Sequence, residues 1–320
     1  MSIRLPFPGC APFPGSMNQH GETEKLGSVL VTHWFVEVLR CRMHLVTAGN
    51  PLLPPLVMLH GLPESWWAFH NQIRDLSDRW FVIAPDLKGY GQSEKRLELS
   101  YQFPHCAFEL ALLLDALGVE QFLLAAHDRG SVLGDWLCCV PGMQARILRY
   151  ARMQQSFMRG HAEPRPPHAL FATAQGVELF LNPAFVPIVY STTPPPGVPK
   201  LVHVPLAPDV VARLAREFSF PGLAHAVSRC FQHTNFDLEL EDRQRFVLSR
   251  MTMPVRLIQG EEDPGQPPSD YAGFEQHGAN FSIRWIEGAG HFHHLERPDA
   301  VTEALRESSR GASAARAEAR

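Results

Sequence analysis

The feature that most constrains this chain is a repeated juxtaposition. Short apolar runs end in glycine-rich polar segments, and helical periodicity fills the intervals between them. Leu56–Leu59, Phe81–Ala84, Phe122–Ala126 and Ile147–Tyr150 are such runs. Their length and unbroken apolarity suit strands covered on both faces. An opening antiparallel pair is expected over Val29–Val38 and Met43–Thr47. Helices are expected over Cys106–Leu117, which closes at Gly118, and over Ser131–Val140, which stops at Pro141-Gly142. Strand, helix and strand in succession predict a mostly parallel sheet with helices on both faces.

That rhythm breaks between residues 153 and 250. Proline clusters stand at Pro164–Pro167 and Pro194–Pro199, and helical periodicity returns at Val210–Phe218 and Gln244–Met251. Strand-like runs resume at Val255–Ile258 and Phe281–Ile286, ahead of a closing helix over Pro298–Glu307. The chain of 320 residues therefore reads as one α/β core, residues 28–152 and 251–310, interrupted by a helical cap at 153–250. Residues 1–27, broken by prolines and lacking the continuous apolar stretch of a signal peptide, are expected to form a flexible arm, and 311–320 a flexible tail.

Composition narrows the function. A net charge of −4 gives no electrostatic basis for binding nucleic acid, and no apolar run reaches the ~18 residues of a membrane span. Six scattered cysteines without a CxxC pair suggest neither a zinc framework nor disulfides, so a reducing, cytoplasmic setting is expected. No motif asks for a metal, flavin or nucleotide. The expected partner is a small-molecule substrate, and association into a homodimer is left open.

In an open parallel sheet, ligands bind beyond the carboxyl ends of the strands. There the sequence offers His60-Gly61-Leu62-Pro63, the turn Asp86–Gly91, Ala126-His127-Asp128-Arg129-Gly130, Gly260-Glu261-Glu262-Asp263 and Gly288-Ala289-Gly290-His291. Small residues two before and two after Asp128 give the spacing of a nucleophile elbow, a sharp strand-to-helix turn. The plainer reading is a helix-capping aspartate. A carboxylate with an ordinary pKa near ~4 is already ionised and needs no base to attack. Attack on an ester would give a reactive anhydride, whereas displacement at a saturated carbon leaves an alkyl ester. Hydrolysing that ester does need a base. His291, His293 and His294 compete in the segment HFHHLE, and His291 directly follows the glycine turn; Glu261, Glu262 and Asp263 compete to orient it. A zinc site from the three histidines would lack carboxylate support and HExxH spacing. Asp86 is expected to organise its own turn and His60 to support the loop that follows it.

HGLPESWW, DLKGYGQS, AHDRG, GEED and GAGH, in that order between about residues 30 and 307, resemble the α/β-hydrolase superfamily. The likeness is to its epoxide hydrolase and haloalkane/haloacetate dehalogenase branch. The resemblance implies an α/β-hydrolase fold with a mostly parallel eight-stranded sheet and a helical cap. It implies Asp128 as nucleophile, His291 as base and Asp263 as the orienting acid, with the backbone N–H groups of Leu62 and Arg129 as oxyanion hole. Trp66 and Trp67 are expected to line the pocket.

This chain departs from that pattern in its lid. Epoxide hydrolases of the branch use two lid tyrosines, and here the lid holds only Tyr190. His168 and Phe171 stand where the first would be, and His225–Phe236 contains no second; His168, His225 and His233 are candidate substitutes. Haloalkane dehalogenases place a halide-holding tryptophan where this chain has Arg129. Haloacetate dehalogenases add a second arginine where it has Val132. An epoxide hydrolase is therefore the leading expectation, with a bulky apolar substrate suggested by the proline-rich lid. A dehalogenase comes next, then a non-hydrolytic ring-opening or rearranging relative. A catalytically silent ligand-binding protein is the alternative of another class, against which the retention of Asp128, Asp263 and His291 counts.

Overall fold

The computed structural model describes residues 3, 5–154, 166–234, 241–242, 245, 247–273 and 280–309. Nine strands form one sheet among them: β1 (Thr23–Leu26), β2 (Val29–Val38), β3 (Cys41–Ala48), β4 (Pro55–Leu59), β5 (Phe81–Pro85), β6 (Phe122–His127), β7 (Ile147–Met153), β8 (Val255–Gly260) and β9 (Phe281–Ile286). Their order is β1-β2-β3-β5-β4-β6-β7-β8-β9. From β1 to β5 neighbours run antiparallel, and from β5 through β4 to β9 they run parallel. The apolar runs of β4, β5 and β6 are almost wholly buried, as a sheet covered on both faces requires.

The ninth strand was not expected. It comes from the segment read as a loose arm. Prolines bar that segment from a helix, but an extended chain can satisfy its backbone on the free edge of β2. Beyond β1, Cys10 donates its N–H to the Phe35 carbonyl. Phe7 is buried against Trp34, and the N–H groups of Met17 and Asn18 both donate to Gln92 Oε1. The expected tail at 311–320 lies outside the described residues.

Helices α1 (His70–Leu76), α2 (Phe103–Ala116) and α3 (Arg129–Leu137) connect core strands, and Pro298–Ser309 forms the closing helix. Between β7 and β8 lie α5 (Pro166–Phe171), α6 (Ala174–Leu181), α7 (Phe185–Val189), α8 (Pro208–Glu217) and α9 (Leu223–Gln232), after the single-turn α4 (Met143–Arg146) that precedes β7. The cap helices cohere through a cluster of rings. Phe171, Phe180, Phe185, Phe218 and Phe231 lie 5.0–6.4 Å from one another in successive pairs. Below the sheet's functional edge, Arg152 and Asp135 form a buried bidentate ion pair at 2.9 and 2.8 Å. It fastens α3 to β7, and such a pair is far costlier to break than to replace. No helix among the described residues is long and apolar enough to cross a membrane.

Candidate active site

β4 and β6 are parallel neighbours, with Leu59 opposite Ala126. The segments that follow them, His60–Leu62 and Asp128–Gly130, therefore emerge side by side. Asp128 sits at φ 50°, ψ −117°, a strained conformation for a side chain with a Cβ. Its neighbours make room for it. A Cβ on Gly130 would fall 2.3 Å from the Leu59 carbonyl oxygen, and one on Gly61 would fall 2.5 Å from Asp128 Cβ. The elbow is held from below by Asp128 N–H donating to the Met153 carbonyl at 3.1 Å.

The carboxylate has two distinct oxygens. Oδ1 accepts the Leu62 N–H at 3.1 Å, and the Arg129 N–H also bonds the carboxylate. Oδ2 lies 3.9 Å from His291 Nε2, too far for a direct hydrogen bond. Burial would raise the Asp128 pKa, but the neighbouring His291 and His127 and the two backbone donors outweigh it and hold the group below its ordinary value. On its other side, His291 Nδ1 lies 3.2 Å from Asp263 Oδ2, and Asp263 is itself fixed by the Gly265 N–H at 2.8 Å. Burial opposes charge on His291, yet the Asp263 carboxylate, with Asp128 behind it, raises its pKa to about 9. Of the three histidines in the segment, His291 is the one that faces both carboxylates.

The backbone of His291 is gripped as well. Its N–H donates to the Leu201 carbonyl at 2.8 Å, a contact from the chain returning out of the cap. Glu296 accepts the N–H groups of Gly290, His203 and Val204, tying the same turn to the same returning chain. His60 accepts the Leu87 N–H on Nε2 and faces the Gly61 carbonyl with Nδ1, so it buttresses the loop that carries Leu62. Asp86 accepts the N–H groups of Trp66 and Gln92, which organises its own turn.

The residues expected to bind substrate divide. Tyr190 is buried, its ring 4.5 Å from Phe292, and its hydroxyl has no hydrogen-bond partner among the described residues. Burial, then the charges of Glu64 and Asp128, push its phenol well up, so it stays a donor. Tyr90 shares all three properties: a buried hydroxyl, no partner, and Asp128 within electrostatic reach. The sequence reading passed over it because it lies in a core turn rather than in the lid. Arg129 has its guanidinium between Phe103 at 4.8 Å and Phe231 at 4.3 Å, with Thr234 Oγ1 at 3.3 Å. It thus joins core to cap. His168 stacks on Phe231, and Phe171 belongs to the cap's aromatic cluster. Of the other candidate donors, His225 is exposed and His233 Nδ1 accepts the Tyr101 N–H.

Trp66 and Trp67 find other neighbours. Trp66 is fully buried with its ring edge-on to His33 of β2. Trp67 stacks on His70, has the Arg213 guanidinium 5.5 Å from its ring, and lines a surface groove of about 640 Å³ with Glu24 and Arg216. Both rings anchor the turn that leads into α1. The sequence reading also missed Glu64, whose carboxylate meets His127 and His294 at 2.9 and 2.8 Å. Ligand atoms of these three residues lie within 4.8 Å of one another. The carboxylate that meets His127 and His294 is thus supplied from the loop after β4. Each imidazole nitrogen is aimed at its own carboxylate oxygen rather than at a shared central point, which is hydrogen-bond geometry.

Known proteins share this architecture. Over 124 residues the chain is 33% identical to epoxide hydrolase 4 of Mus musculus, a match spanning 34% of that protein's length and 37% of this chain. It is 27% identical over 312 residues to epoxide hydrolase A of Mycobacterium tuberculosis, covering 86% of this chain and 96% of that one. Among solved structures, an epoxide hydrolase from Vigna radiata superposes with a TM-score of 0.66 at 26% identity, over 87% of this chain and 97% of the other. The model of the alpha/beta hydrolase fold matches residues 54–298, from the foot of β4 to the start of the closing helix. With the Asp128 turn, the His60–Leu62 loop and the Asp263–His291 pair all inside that span, the chain belongs to the alpha/beta hydrolase fold family.

Proposed function

We propose that this protein is an epoxide hydrolase working through an ester on Asp128. One observation carries the reading: Oδ1 of Asp128 already accepts the Leu62 N–H, the Arg129 N–H bonds the same carboxylate, and Oδ2 faces His291. Oδ2 attacks a ring carbon, the C–O bond of the epoxide breaks, and its electrons pass to the oxygen, which takes a proton from a phenol. Tyr190 is the candidate donor from the lid and Tyr90 from the core. An Oδ2 alkyl ester remains.

Alkylation removes the negative charge of Asp128, and with it one of the influences that hold a proton on His291. His291 then releases that proton to solvent, becomes available as a base, and is recharged once the carboxylate is restored. Nε2 takes a proton from water, the hydroxide adds to Cγ, and the charge that develops on Oδ1 falls on the donors already bonded to it. Such a donor is typically worth about 2.7–4 kcal/mol to the transition state. Collapse breaks the Cγ–Oδ2 bond, His291 returns its proton to Oδ2 of the departing diol, and the remaining water proton leaves the new carboxyl oxygen to restore the phenol. The diol keeps Oδ2, and the regenerated carboxylate keeps the oxygen of the water.

Arg129 beside the nucleophile is the feature that keeps a halo-acid in view. Its guanidinium, clasped by two rings and bonded to Thr234, gives that reading less support. The decisive experiment incubates His291→Ala with panels of epoxides and organic halides and records the intact protein mass. An epoxide is expected to add its full mass; a halide would add its mass less hydrogen halide. No adduct from any compound, alongside ester hydrolysis by the wild type, would overturn the aspartate mechanism. No adduct and no turnover would leave a binding protein.

A further inference from the structure

Behind the triad lies a second set of charged groups that the mechanism above does not use. Glu64 is wholly buried, and three donors converge on its carboxylate. The Gly61 N–H reaches Oε2 at 2.6 Å, His127 Nδ1 reaches Oε2 at 2.9 Å, and His294 Nε2 reaches Oε1 at 2.8 Å. A carboxylate receiving three N–H donors in a dry site is held ionised. Its pKa follows: burial alone would raise it, but His127 and His294 bring it well below the ordinary range.

The other ring nitrogen of His127 is equally committed. Nε2 lies 2.9 Å from the carbonyl oxygen of His291. An ionised carboxylate oxygen and a carbonyl oxygen are both acceptors only, and a neutral imidazole has one N–H to give. From this geometry we infer that His127 is a doubly protonated positioning residue, an imidazolium clamp between Glu64 and the backbone of His291.

The clamp touches every part of the site. Through Glu64 and Gly61 it reaches the oxyanion loop one residue before Leu62. Through the chain it adjoins Asp128, and through its Nε2 hydrogen it sets where the His291 backbone stands. Its charged and titratable neighbours among the described residues include His60, whose own burial holds it below its ordinary value. Glu64 lies on one side; the rings of His291, His293 and His294 lie 5.3, 5.7 and 4.3 Å from it, and Asp128 follows it in the chain. Of these imidazoles, His294 is driven down to about 4 by burial and His293 well below its ordinary value, so neither competes for the charge.

The consequence for reactivity rests on the reading under Proposed function. Alkylation needs Asp128, its donors and the phenol but no base, whereas ester hydrolysis needs His291 at the correct distance from Cγ. A displacement of about 1 Å at such a base can cost about 10²-fold. Loss of the clamp should therefore fall on the second half-reaction.

Two measurements test this. In uniformly 15N-labelled wild type at pH 7.5, long-range 1H–15N spectra, with His127 assigned by difference from His127→Asn, are expected to show hydrogens on both its ring nitrogens. One bare nitrogen would overturn the proposal; this readout requires no substrate, and His127→Gln supplies the difference spectrum should His127→Asn not fold. In His127→Asn, quenched-flow mass spectrometry with a turned-over epoxide is expected to show alkylation within about threefold of wild type and ester hydrolysis slowed about 10²-fold. Equal losses in both steps, or none, would overturn it. If no alkyl-enzyme forms in the wild type or in His291→Ala, the ester mechanism fails, and the nitrogen spectra still decide whether the clamp exists.

Discussion

Replacing Asp128 by Asn should lower the pH at which His291 loses its proton. The substitution keeps the shape of the side chain and an oxygen for the Leu62 N–H, but deletes a unit charge 3.9 Å from His291 Nε2. At that distance the attraction is about 4 kcal/mol at an effective dielectric of about 20, and about 1 kcal/mol in water. The two side chains are 12% and 14% exposed, so the pair lies between these limits. One pKa unit corresponds to about 1.4 kcal/mol. A fall of about one to two units from the wild-type value of about 9 is therefore expected. The sign is fixed, because deleting an anion favours the neutral imidazole. Titrating the His291 ring signals by NMR in wild type and Asp128→Asn measures the shift directly. A midpoint unchanged within a few tenths of a unit would refute both the electrostatics and the claim that alkylation readies the base.

Three further outcomes follow from neighbouring contacts. Asp263→Asn should leave alkylation intact but slow ester hydrolysis by up to about 10⁴-fold, since an amide can no longer fix the Nδ1–H tautomer; accumulated alkyl-enzyme in mass spectra checks it. A histidine whose pKa rises from 6.5 to about 9 on folding adds stability that is complete below pH 6.5 and lost as pH climbs through 9. Urea unfolding should show wild type losing about 3 kcal/mol more than His291→Gln between pH 6.5 and 9.5, and equal losses would contradict the assignment. Asp135→Asn, which strands the buried Arg152 guanidinium, should cost about 3–5 kcal/mol in the same assay, with the triad geometry preserved.

Much of this site could be read from the chain because its parts follow strands. A parallel sheet puts every strand's carboxyl end on one edge, so Leu62, Asp128, Asp263 and His291 needed only their strands to be recognised. The glycines that make the turns marked where those ends lie. What sequence reading missed is held by contacts without local pattern. Glu64 lies 63 residues from His127 and 230 from His294, and no periodicity links them. The lid's departures were visible as missing tyrosines, but not their counterpart in Tyr90, because a turn residue in DLKGYGQS reads as scaffold. The proline-rich opening segment misled for a simpler reason: proline forbids helix but not an edge strand.

The two steps proposed for Asp128 make opposite demands on His291. Alkylation is served by a charged imidazolium, which keeps Asp128 ionised although it is buried. Hydrolysis is served by a neutral one. A single histidine can meet both only if its proton affinity changes between them, and the charge that changes is that of the nucleophile itself. Asp263 does not change and holds Nδ1 throughout. The Leu62 donor also stays on Oδ1, first on a carboxylate, then on an ester carbonyl, then on the oxyanion, with the Arg129 N–H bonded to the same group. The protein therefore need not move a group between steps; forming the covalent bond at Oδ2 is what converts an acid-stabilised pair into a base facing an ester.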